Sequence, residues 1–455
     1  MNAGTIRGTR SLLIFGIDLI SIVAIFSGTY YLRLSTLPDY SSLDLWLITV
    51  TFIFVLFISG TYFRERSTKL PSLPIRTFLI CIVSGIVCIA WLYLLGPSKF
   101  TEYFGRGILP VATILCGIST TWTRFVINRL YHRQERGSEL LYIGHSESGD
   151  AFLNELKHHS EVRSVTVSTD KKELNANFEQ CSLDATDTCE LLTTANWKSV
   201  IIDPSRQINN KETDHLVSLR LTGIPILSLA DFYEKFWFMI PVHDISDDWF
   251  LRSQGFSMLG DPISMRVKRL IDLILSSLLL LLSAPLILLC GILVKLTSKG
   301  PMLFSQTRVG LNNNPFTIYK IRTMSKDAEA QGAQWAAEND PRITRFGNFL
   351  RATRIDELPQ CWNVLKGDMS FVGPRPERPE FTSGLAEQIP YYDLRHIIKP
   401  GLTGWAQVNY TYGSSTKDAL RKLQFDLYYI KNYSLLLDLN ILLRTIRVTL
   451  MRAGR

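Results

Sequence analysis

Five long apolar runs constrain the fold of this chain more than any other feature of its sequence. Four of them lie near the N-terminus, at about Ser11–Leu32, Leu45–Phe63, Phe78–Leu95 and Gly107–Ile127. Each is close to the roughly 20 residues that a helix needs to cross a bilayer. We therefore predict a bundle of four transmembrane helices over residues 1–136.

Basic residues flank these runs and predict how the bundle is oriented. The loop between the second and third runs and the segment after the fourth run are rich in Lys and Arg, whereas the other two loops are poorer. Because cytoplasmic loops carry an excess of positive charge, both ends of the bundle are expected in the cytoplasm. The net charge of +8 is spread over such segments. This distribution suits membrane lipids and phosphate substrates, and it argues against nucleic acid as a partner.

Asp18 is an acidic residue inside the first apolar run. A transport or relay role is one interpretation of an ionisable group at this depth. The residue lies within two turns of the helix start, however, so a snorkelled or helix-paired structural role is favoured.

A soluble α/β pattern replaces the apolar runs from about Gly137. Leu140–Ile143 is typical of a buried strand, a glycine turn follows, and Asp150–Lys157 is typical of a helix. This order predicts a Rossmann-like α/β domain over residues 137–245. The dinucleotide fingerprint requires a second glycine where this chain has Ser146, so a structural or regulatory module is favoured over a nicotinamide site. Residues 246–263 are assigned to a connector.

The fifth run, residues 270–296, is long enough to span a bilayer, but a simple span conflicts with its surroundings. Basic residues flank both of its ends, which places both ends in the cytoplasm. Pro285 removes a helix hydrogen bond near the middle, and the Ser283 hydroxyl can bond to a freed carbonyl. We therefore predict a re-entrant membrane helix that breaks at Ser283–Pro285 and returns to the same face.

The residues that carry chemistry follow this helix. Alternation around Lys320 and Arg322 predicts a strand that projects both cations from one face, an arrangement that suits a diphosphate. Asp356 and Glu357 are expected at the start of a helix that ends near Leu365, before Gly367. There the helix dipole and a nearby arginine would hold a carboxylate ionised, and a phosphate could bind.

Six sequence blocks in this C-terminal region resemble the bacterial sugar transferases, or polyprenyl-phosphate glycosyl-1-phosphate transferases. The resemblance covers residues 264–455 strongly, and the preceding bundle and α/β domain resemble the large subclass of that family. The blocks are KRLIDL at Lys268–Leu273, FTIYKIRTM at Phe316–Met324, NDPRITRFG at Asn339–Gly347, DELPQ at Asp356–Gln360, NVLKGDMSFVGPRPE at Asn363–Glu377 and KPGLTGWAQV at Lys399–Val408.

The resemblance implies a two-step reaction at the cytoplasmic face of a bacterial inner membrane. Asp356 would attack the phosphate next to the sugar of a UDP-sugar and release UMP, and a polyprenyl phosphate would then take the phosphosugar. Lys320, Arg351 and Arg375 match positions that hold phosphate, and Arg322 is a weaker match.

The resemblance also implies a cofactor and leaves some features open. Mg²⁺ would offset charge on the diphosphate, with Asp356 and Glu357 as candidate ligands. A homodimer is compatible with the resemblance, and the sugar is not identified. The family break is usually an adjacent Ser-Pro pair, whereas here Ala284 precedes Pro285. The C-terminal run Leu435–Leu450 could be a buried helix or one lying in the membrane interface.

Two other function classes compete with this interpretation. A membrane-tethered sugar-nucleotide dehydratase or epimerase needs an intact glycine fingerprint and a Tyr-x-x-x-Lys pair, and the sequence has neither. A non-catalytic polysaccharide-assembly scaffold would not need the intact Asp356, Glu357, Lys320 and Arg351. Catalysis by His396 is a minor alternative to a packed or phosphate-facing position.

Overall fold

The computed structural model describes residues 3–41, 43–59, 61–62, 73–94, 107–134, 139–157, 165–168, 181–183, 188, 192, 197–325, 328, 340–410, 413 and 415–450. The chain is mostly helical with small sheets, and it divides into two units, Met1–Ser228 and Leu229–Arg455.

Unit 1 begins with four apolar helices, which lie at the four apolar runs near the N-terminus. They are α1 (Ala3–Leu34), α2 (Leu43–Ile58), α3 (Leu73–Leu94) and α4 (Ile108–Gln134). Among the described residues of the whole chain, three helical segments are long and apolar enough to cross a membrane, and this makes the chain a membrane protein. They are Leu13–Leu34, Ile108–Ile127 and Pro262–Thr297, and two shorter apolar segments are Leu45–Phe57 and Thr77–Ala90.

A buried polar cluster ties the bundle helices together. The Arg124 guanidinium donates to both carboxylate oxygens of Asp18, at 3.1 and 2.8 Å. The Tyr62 hydroxyl donates to the same carboxylate at 2.9 Å. All three side chains are buried, so each charge is neutralised within the bundle. This pairing confirms the helix-paired structural role predicted for Asp18.

Unit 1 continues as a five-stranded parallel sheet whose strand order is β3-β2-β1-β4-β5. The strand predicted from the apolar run Leu140–Ile143 is present, and among the described residues two helices lie between strands of this sheet. The elements are β1 (Glu139–Ile143), α5 (Glu147–Lys157), β2 (Val165–Ser168), β3 (Cys181–Leu183), β4 (Trp197–Ile202), α6 (Asn210–Leu221) and β5 (Ile226–Ser228).

Unit 2 begins earlier than the sequence analysis placed it. Residues 229–245, assigned above to the α/β domain, pack on the C-terminal part of the chain instead. Trp405 donates its indole N–H to the Phe238 carbonyl at 2.9 Å, and the Ile240 N–H bonds to the Gln424 carbonyl at 2.9 Å. The boundary was wrong because apolar periodicity cannot tell which of two cores a segment covers.

The first part of unit 2 is a series of short helical turns. They are α7 (Leu229–Phe232), a π-helical turn (Tyr233–Trp237), a 3-10 turn (Val242–Asp244), α8 (Asp247–Arg252) and a second 3-10 turn (Ser257–Gly260).

The fifth apolar run lies in the helix α9 (Pro262–Thr297), which is continuous across Pro285. The predicted break is therefore not an interruption of the helix. The expectation that Ser283 bonds to a freed carbonyl was wrong, since its buried hydroxyl has no hydrogen-bond partner. Near the C-terminal end of α9, Cys290 and Val294 pack with Ile321 and Leu350 in the core of unit 2.

The remaining elements surround that core. An antiparallel hairpin precedes the site, and a parallel strand pair follows it. The elements are β6 (Leu303–Val309), a 3-10 turn (Leu311–Asn313), β7 (Pro315–Ile321), α10 (Arg345–Thr353), a 3-10 turn (Ile355–Gln360), α11 (Cys361–Lys366), β8 (Ser370–Val372), α12 (Pro379–Gln388), a 3-10 turn (Tyr392–His396), β9 (Gly401–Thr403), α13 (Trp405–Asn409), α14 (Thr416–Lys431) and α15 (Leu435–Leu450).

The helix α15 combines the two alternatives left open for the C-terminal run. Asp438 and Ile441 are buried against unit 2, whereas Leu436 is 80% and Leu439 is 52% exposed. One face therefore packs on the protein, and the other remains available to lipid or to another apolar surface.

Candidate active site

The acidic pair lies in a short 3-10 turn between two helices. Arg354 ends α10 in the left-handed conformation, with φ 59°, and the chain then passes Asp356 and Glu357 as a 3-10 helix. The predicted α-helix begins only at Cys361, and Gly367 ends it with φ 97°. The predicted stop is therefore confirmed, whereas the predicted start near Asp356 was wrong.

Asn363 fixes this turn against the strand β7. Its side chain is fully buried. The amide Nδ2 donates to the Thr317 carbonyl at 2.6 Å, and Oδ1 accepts the Tyr319 N–H at 3.3 Å. Lys320 follows Tyr319 on that strand, so these hydrogen bonds of Asn363 hold the Lys320 ammonium group close to the acidic pair.

Glu357 is held by three cations. Its Oε1 lies 3.1 Å from Lys320 Nζ and 2.6 Å from an Arg375 guanidinium nitrogen, and its Oε2 lies 3.5 Å from Arg354. Burial raises the pKa of this carboxyl, but the three cations outweigh burial and hold the pKa well below its usual range. Glu357 is therefore an ionised, fixed anchor for the cations around it.

Asp356 lies beside this cluster, but its pKa is shifted in the direction opposite to that of Glu357. Its side chain is buried, and its Oδ1 has no hydrogen-bond partner. Burial and the neighbouring charge of Glu357 raise the pKa of Asp356 to about 6, against the opposing effects of Lys320, Arg351 and Arg354. The expectation that the helix start would hold a carboxylate ionised thus applies to Glu357 rather than to Asp356.

Arg351 is positioned from the helix α10. Its Nε donates to the Thr323 hydroxyl at 2.8 Å, which fixes the guanidinium beside the acidic pair. Its charge lowers the pKa of Asp356, as a cation close to that carboxylate must. The structure therefore places Lys320, Arg351 and Arg375 around the acidic pair.

Arg322 is used differently. Its guanidinium donates to the Lys299 carbonyl at 2.7 Å and to the Ser298 carbonyl and hydroxyl, both at 2.8 Å. These are groups at the C-terminal end of α9, where carbonyls lack partners within the helix. Lys320 and Arg322 are thus not presented together to a diphosphate. Arg322 instead fixes the end of the membrane helix.

Two further residues that the sequence analysis did not select complete the site. Arg354 pairs with Glu357, and its charge lowers the pKa of Asp356. Asn363 holds the turn against β7 through the two hydrogen bonds of its side chain. Arg354 could have been identified from the sequence, because it lies two residues before Asp356. No feature of the sequence indicated that Asn363 contacts the strand β7.

His396 ends the 3-10 turn Tyr392–His396, and its surroundings decide its protonation state. It is buried, and burial together with Arg395 lowers its pKa to about 3. The imidazole is therefore neutral at physiological pH. A packed position, the favoured alternative, agrees with this environment.

Comparisons with known proteins agree on one family. The model of the bacterial sugar transferase family matches residues 263–452. A UDP-N-acetylgalactosamine-undecaprenyl-phosphate N-acetylgalactosaminephosphotransferase from Aeromonas hydrophila is 41% identical over 239 residues, covering 52% of this chain and 55% of the relative. An undecaprenyl-phosphate glucose phosphotransferase from Komagataeibacter xylinus is 44% identical over 189 residues, covering 40% of this chain and 36% of the relative.

A shorter relative is matched almost throughout. The exopolysaccharide production protein PSS from Rhizobium leguminosarum bv. phaseoli is 41% identical over 192 residues, covering 41% of this chain and 96% of the relative. The chain thus spans about half or less of the two long relatives and nearly all of the short one. Residues 263–452 carry the acidic pair and its cations, and the chain belongs to the bacterial sugar transferase family.

Proposed function

We propose that this protein transfers a sugar-1-phosphate from a UDP-sugar to a polyprenyl phosphate such as undecaprenyl phosphate, releasing UMP. The observation that carries the proposal is the buried Asp356 carboxylate, whose Oδ1 is unpartnered beside a ring of fixed cations. The names of the relatives support the substrate classes, since two include undecaprenyl phosphate and one includes a UDP-sugar. A role in exopolysaccharide, capsule or O-antigen synthesis is in line with the name of the short relative.

The reaction divides into two displacements at one phosphorus atom. In the first, an Asp356 oxygen attacks the phosphorus that carries the sugar, and the bond to the bridging oxygen breaks so that UMP leaves with that oxygen. In the second, a phosphate oxygen of the polyprenyl carrier attacks the same phosphorus and releases the Asp356 carboxylate. The product is polyprenyl-diphospho-sugar, and the enzyme returns to its starting state.

The cations supply the electrostatic part of this mechanism. Lys320 and Arg375 are fixed by Glu357 before substrate arrives. Groups that are already oriented need no reorganisation when negative charge develops on the transferring phosphoryl group. Glu357 itself, neutralised by its partners, is suited to holding these cations rather than to attacking phosphorus.

Mg²⁺ fits the acidic pair in part. The unpartnered Asp356 Oδ1 is an oxygen that a hard cation would accept, whereas the Glu357 oxygens already face three cations. The described residues contain no group of three or more His, Cys, Asp or Glu that could hold a metal. Mg²⁺ is usually bound through one or two carboxylates together with substrate phosphates. When bound it would offset charge on the diphosphate, with Asp356 as its ligand from this chain.

The experiment that tests the function is an assay on purified membranes that contain the protein. Polyprenyl phosphate and a panel of UDP-sugars are supplied, and UMP release is measured. We expect UMP from at least one UDP-sugar, together with a polyprenyl-diphospho-sugar product. No UMP release from any UDP-sugar in the panel would contradict the proposal.

We also propose that α9 re-enters the membrane and that the catalytic unit faces the cytoplasm. Contacts of both halves of the helix with the rest of unit 2 support this. In the first half, Lys268 donates to the Val372 carbonyl at 3.1 Å, and Arg269 donates to the Val364 carbonyl at 2.6 Å. In the second half, Val294 packs in the core of the same unit.

The distance between these anchors favours a bend in the helix. A straight helix would separate residues 269 and 294 by about 38 Å, at 1.5 Å per residue. The residues that bind the two halves lie closer together than this. Arg269 binds Val364, whose neighbour Asn363 accepts a hydrogen bond from Tyr319 on β7. Two residues further along β7, Ile321 packs against Val294. A bend at Ser283–Pro285 lets both halves dock on one unit and keeps both basic ends on one side.

Cysteine labelling tests this topology. In a cysteine-free background, Ser264→Cys and Lys299→Cys should react only with reagents that reach the cytoplasm. Ser41→Cys, at an exposed position between α1 and α2, is the matched control and should label from outside. Labelling of Lys299→Cys from outside would contradict re-entry. Replacing Ser283 and Pro285 by Leu should straighten the segment and abolish transfer while Asp356 is intact.

We further propose that the α/β domain is Rossmann-like in fold but binds no nicotinamide cofactor. Asp203 occupies the end of β4, where parallel strands bind phosphates. Its buried carboxylate accepts hydrogen bonds from the Tyr142 hydroxyl and, at 2.6 Å each, from the Ser146 and Ser205 hydroxyls. A side chain at Gly149 would overlap the Tyr142 hydroxyl and approach Asp203. A pyrophosphate would meet this fixed negative charge, so purified protein should contain no stoichiometric NAD.

A further inference from the structure

The loop that carries Arg375 is held by donors from outside it. Three successive carbonyls are each bound: Arg375 O by an Arg395 guanidinium nitrogen at 3.0 Å, Pro376 O by Arg308 at 3.1 Å, and Glu377 O by the Val309 N–H at 3.0 Å. Proline residues 374 and 376 restrict the backbone on both sides of Arg375. The position of the Arg375 side chain therefore depends on where these donors hold its backbone.

Among these donors, Arg395 is itself fixed from several sides. Its side chain is 4% exposed, and a guanidinium nitrogen lies 2.8 Å from a carboxylate oxygen of the buried Asp426. Another nitrogen donates to the Tyr392 hydroxyl at 2.9 Å. A planar guanidinium can hold a carboxylate, a hydroxyl and a backbone carbonyl at once because its donors form a rigid fork.

The contacts form a continuous path from this buried pair to the acidic pair. Asp426 holds Arg395, Arg395 holds the backbone of Arg375, and the Arg375 guanidinium lies 2.6 Å from Glu357. Glu357 adjoins Asp356 in the chain. Arg395 thus acts on the site through Arg375 rather than through a contact with the reacting atoms.

We propose that Arg395, fixed by Asp426, is a positioning residue for Arg375 in the transfer reaction. This inference rests on the proposed function. A catalytic cation must lie within a fraction of an ångström of its working position, and small displacements far from the reacting atoms are costly. Removing Arg395 would free the Arg375 carbonyl and allow the loop to move, while the Arg375 side chain itself would remain.

The test is a double-mutant cycle between Arg395 and Arg375, measured by UMP release. In the natural background, we expect Arg395→Gln to lower kcat/KM about 100-fold, the scale of a misplaced catalytic group. In an Arg375→Ala background, the same change should lower it by less than about threefold, since the residue that Arg395 positions is already absent. Arg395→Lys keeps the buried charge and should restore part of the activity in the natural background only.

Lys431→Met is the matched control. Lys431 is buried on α14, the helix that carries Asp426, and it pairs with Glu234 at 2.6 Å. A general loss of packing should lower activity by the same factor with and without Arg375, and this is the result expected for Lys431→Met. Equal factors for Arg395→Gln in the two backgrounds would overturn the inference. If Arg395→Gln does not fold, Asp426→Asn and Arg395→Lys replace it, and the same comparison decides.

The cycle separates this inference from the proposed function. No UMP release by the natural protein from any UDP-sugar overturns the proposed function, and with it the role of Arg395. Normal release by the natural protein with additive effects of the two substitutions overturns the positioning role alone.

Discussion

Two buried aspartates, Asp203 in the α/β domain and Asp356 in unit 2, differ in what surrounds them. Asp203 accepts hydrogen bonds from three hydroxyls and from the Ser205 N–H at 2.8 Å. Burial raises its pKa, but these hydrogen bonds outweigh burial and lower it below the usual value. The Asp356 Oδ1 has no partner, and burial beside Glu357 raises the pKa of Asp356 to about 6.

The comparison shows that burial alone does not mark a reactive carboxylate. A buried polar group is normally satisfied, and one that is not carries a cost that the fold must offset elsewhere. The Asp203 carboxylate is hydrogen-bonded by residues of its own domain, which is the environment of a structural residue. Asp356 is left with an oxygen that only a substrate, a cation or water can bind, and the proposed nucleophile requires such an oxygen.

The largest effect is expected from removing the reactive carboxylate. Asp356→Asn should lower UMP release by about 10⁴-fold or more, because an amide cannot form the acyl phosphate. The melting temperature should equal or exceed that of the natural protein at pH 7, since a carboxylate with a raised pKa destabilises the fold when ionised. Near-normal turnover in this variant would show that Asp356 is not the nucleophile, and the difference between the two aspartates would then have no bearing on the reaction.

A smaller effect is expected from a cation that acts only through its charge. Arg351→Ala should lower UMP release by about 10–1000-fold, the range for loss of one electrostatic stabiliser. Arg345→Ala is the matched control, because Arg345 lies at the exposed start of the same helix. Equal activities of the two variants would show that Arg351 does not assist Asp356.

The pH dependence of the first step tests the difference in pKa directly. Only the ionised Asp356 can attack, so the rate of UMP release should rise with pH and level off above about 7. With the pKa of Asp356 at about 6, the rate at pH 5 should be roughly one tenth of the maximum. A rate that is constant down to pH 4.5 would show that Asp356 is not the titrating nucleophile.

Sequence patterns predicted most of the candidate site but not its internal contacts. The acidic pair Asp356 and Glu357 was selected from its place before a predicted helix, and the resemblance to the family added Lys320, Arg351 and Arg375. Alternation in a strand could not reveal that the carbonyls at the end of α9 lie beside Arg322 and bind it. Such a contact depends on how distant elements meet.

The fold was predicted to a similar depth. Long apolar runs indicated the bundle helices, a short apolar run indicated the first parallel strand, and alternation indicated the strand that carries Lys320, because burial imposes such patterns on the sequence. The 3-10 turn at the acidic pair and the assignment of residues 229–245 to unit 2 were missed. Both are set by tertiary packing, which overrides local propensity at short segments.

The smallest effect on transfer is expected at Asp203, and it is the other half of the comparison. Asp203→Asn should change UMP release by less than about threefold. The free energy of unfolding of the α/β domain should fall by about 1.5–3 kcal/mol, the usual range for hydrogen bonds to a charged group. The sign with pH follows from the lowered pKa: the carboxylate stabilises the domain above its unfolded pKa, and this stabilisation is lost as pH falls through the lower folded value. Thermal unfolding at pH 7 should therefore separate the variant from the natural protein, and the difference should shrink below about pH 4. A large loss of transfer in a variant that still folds would show that this aspartate serves the reaction as well, and that a satisfied carboxylate is not a reliable mark of a structural role.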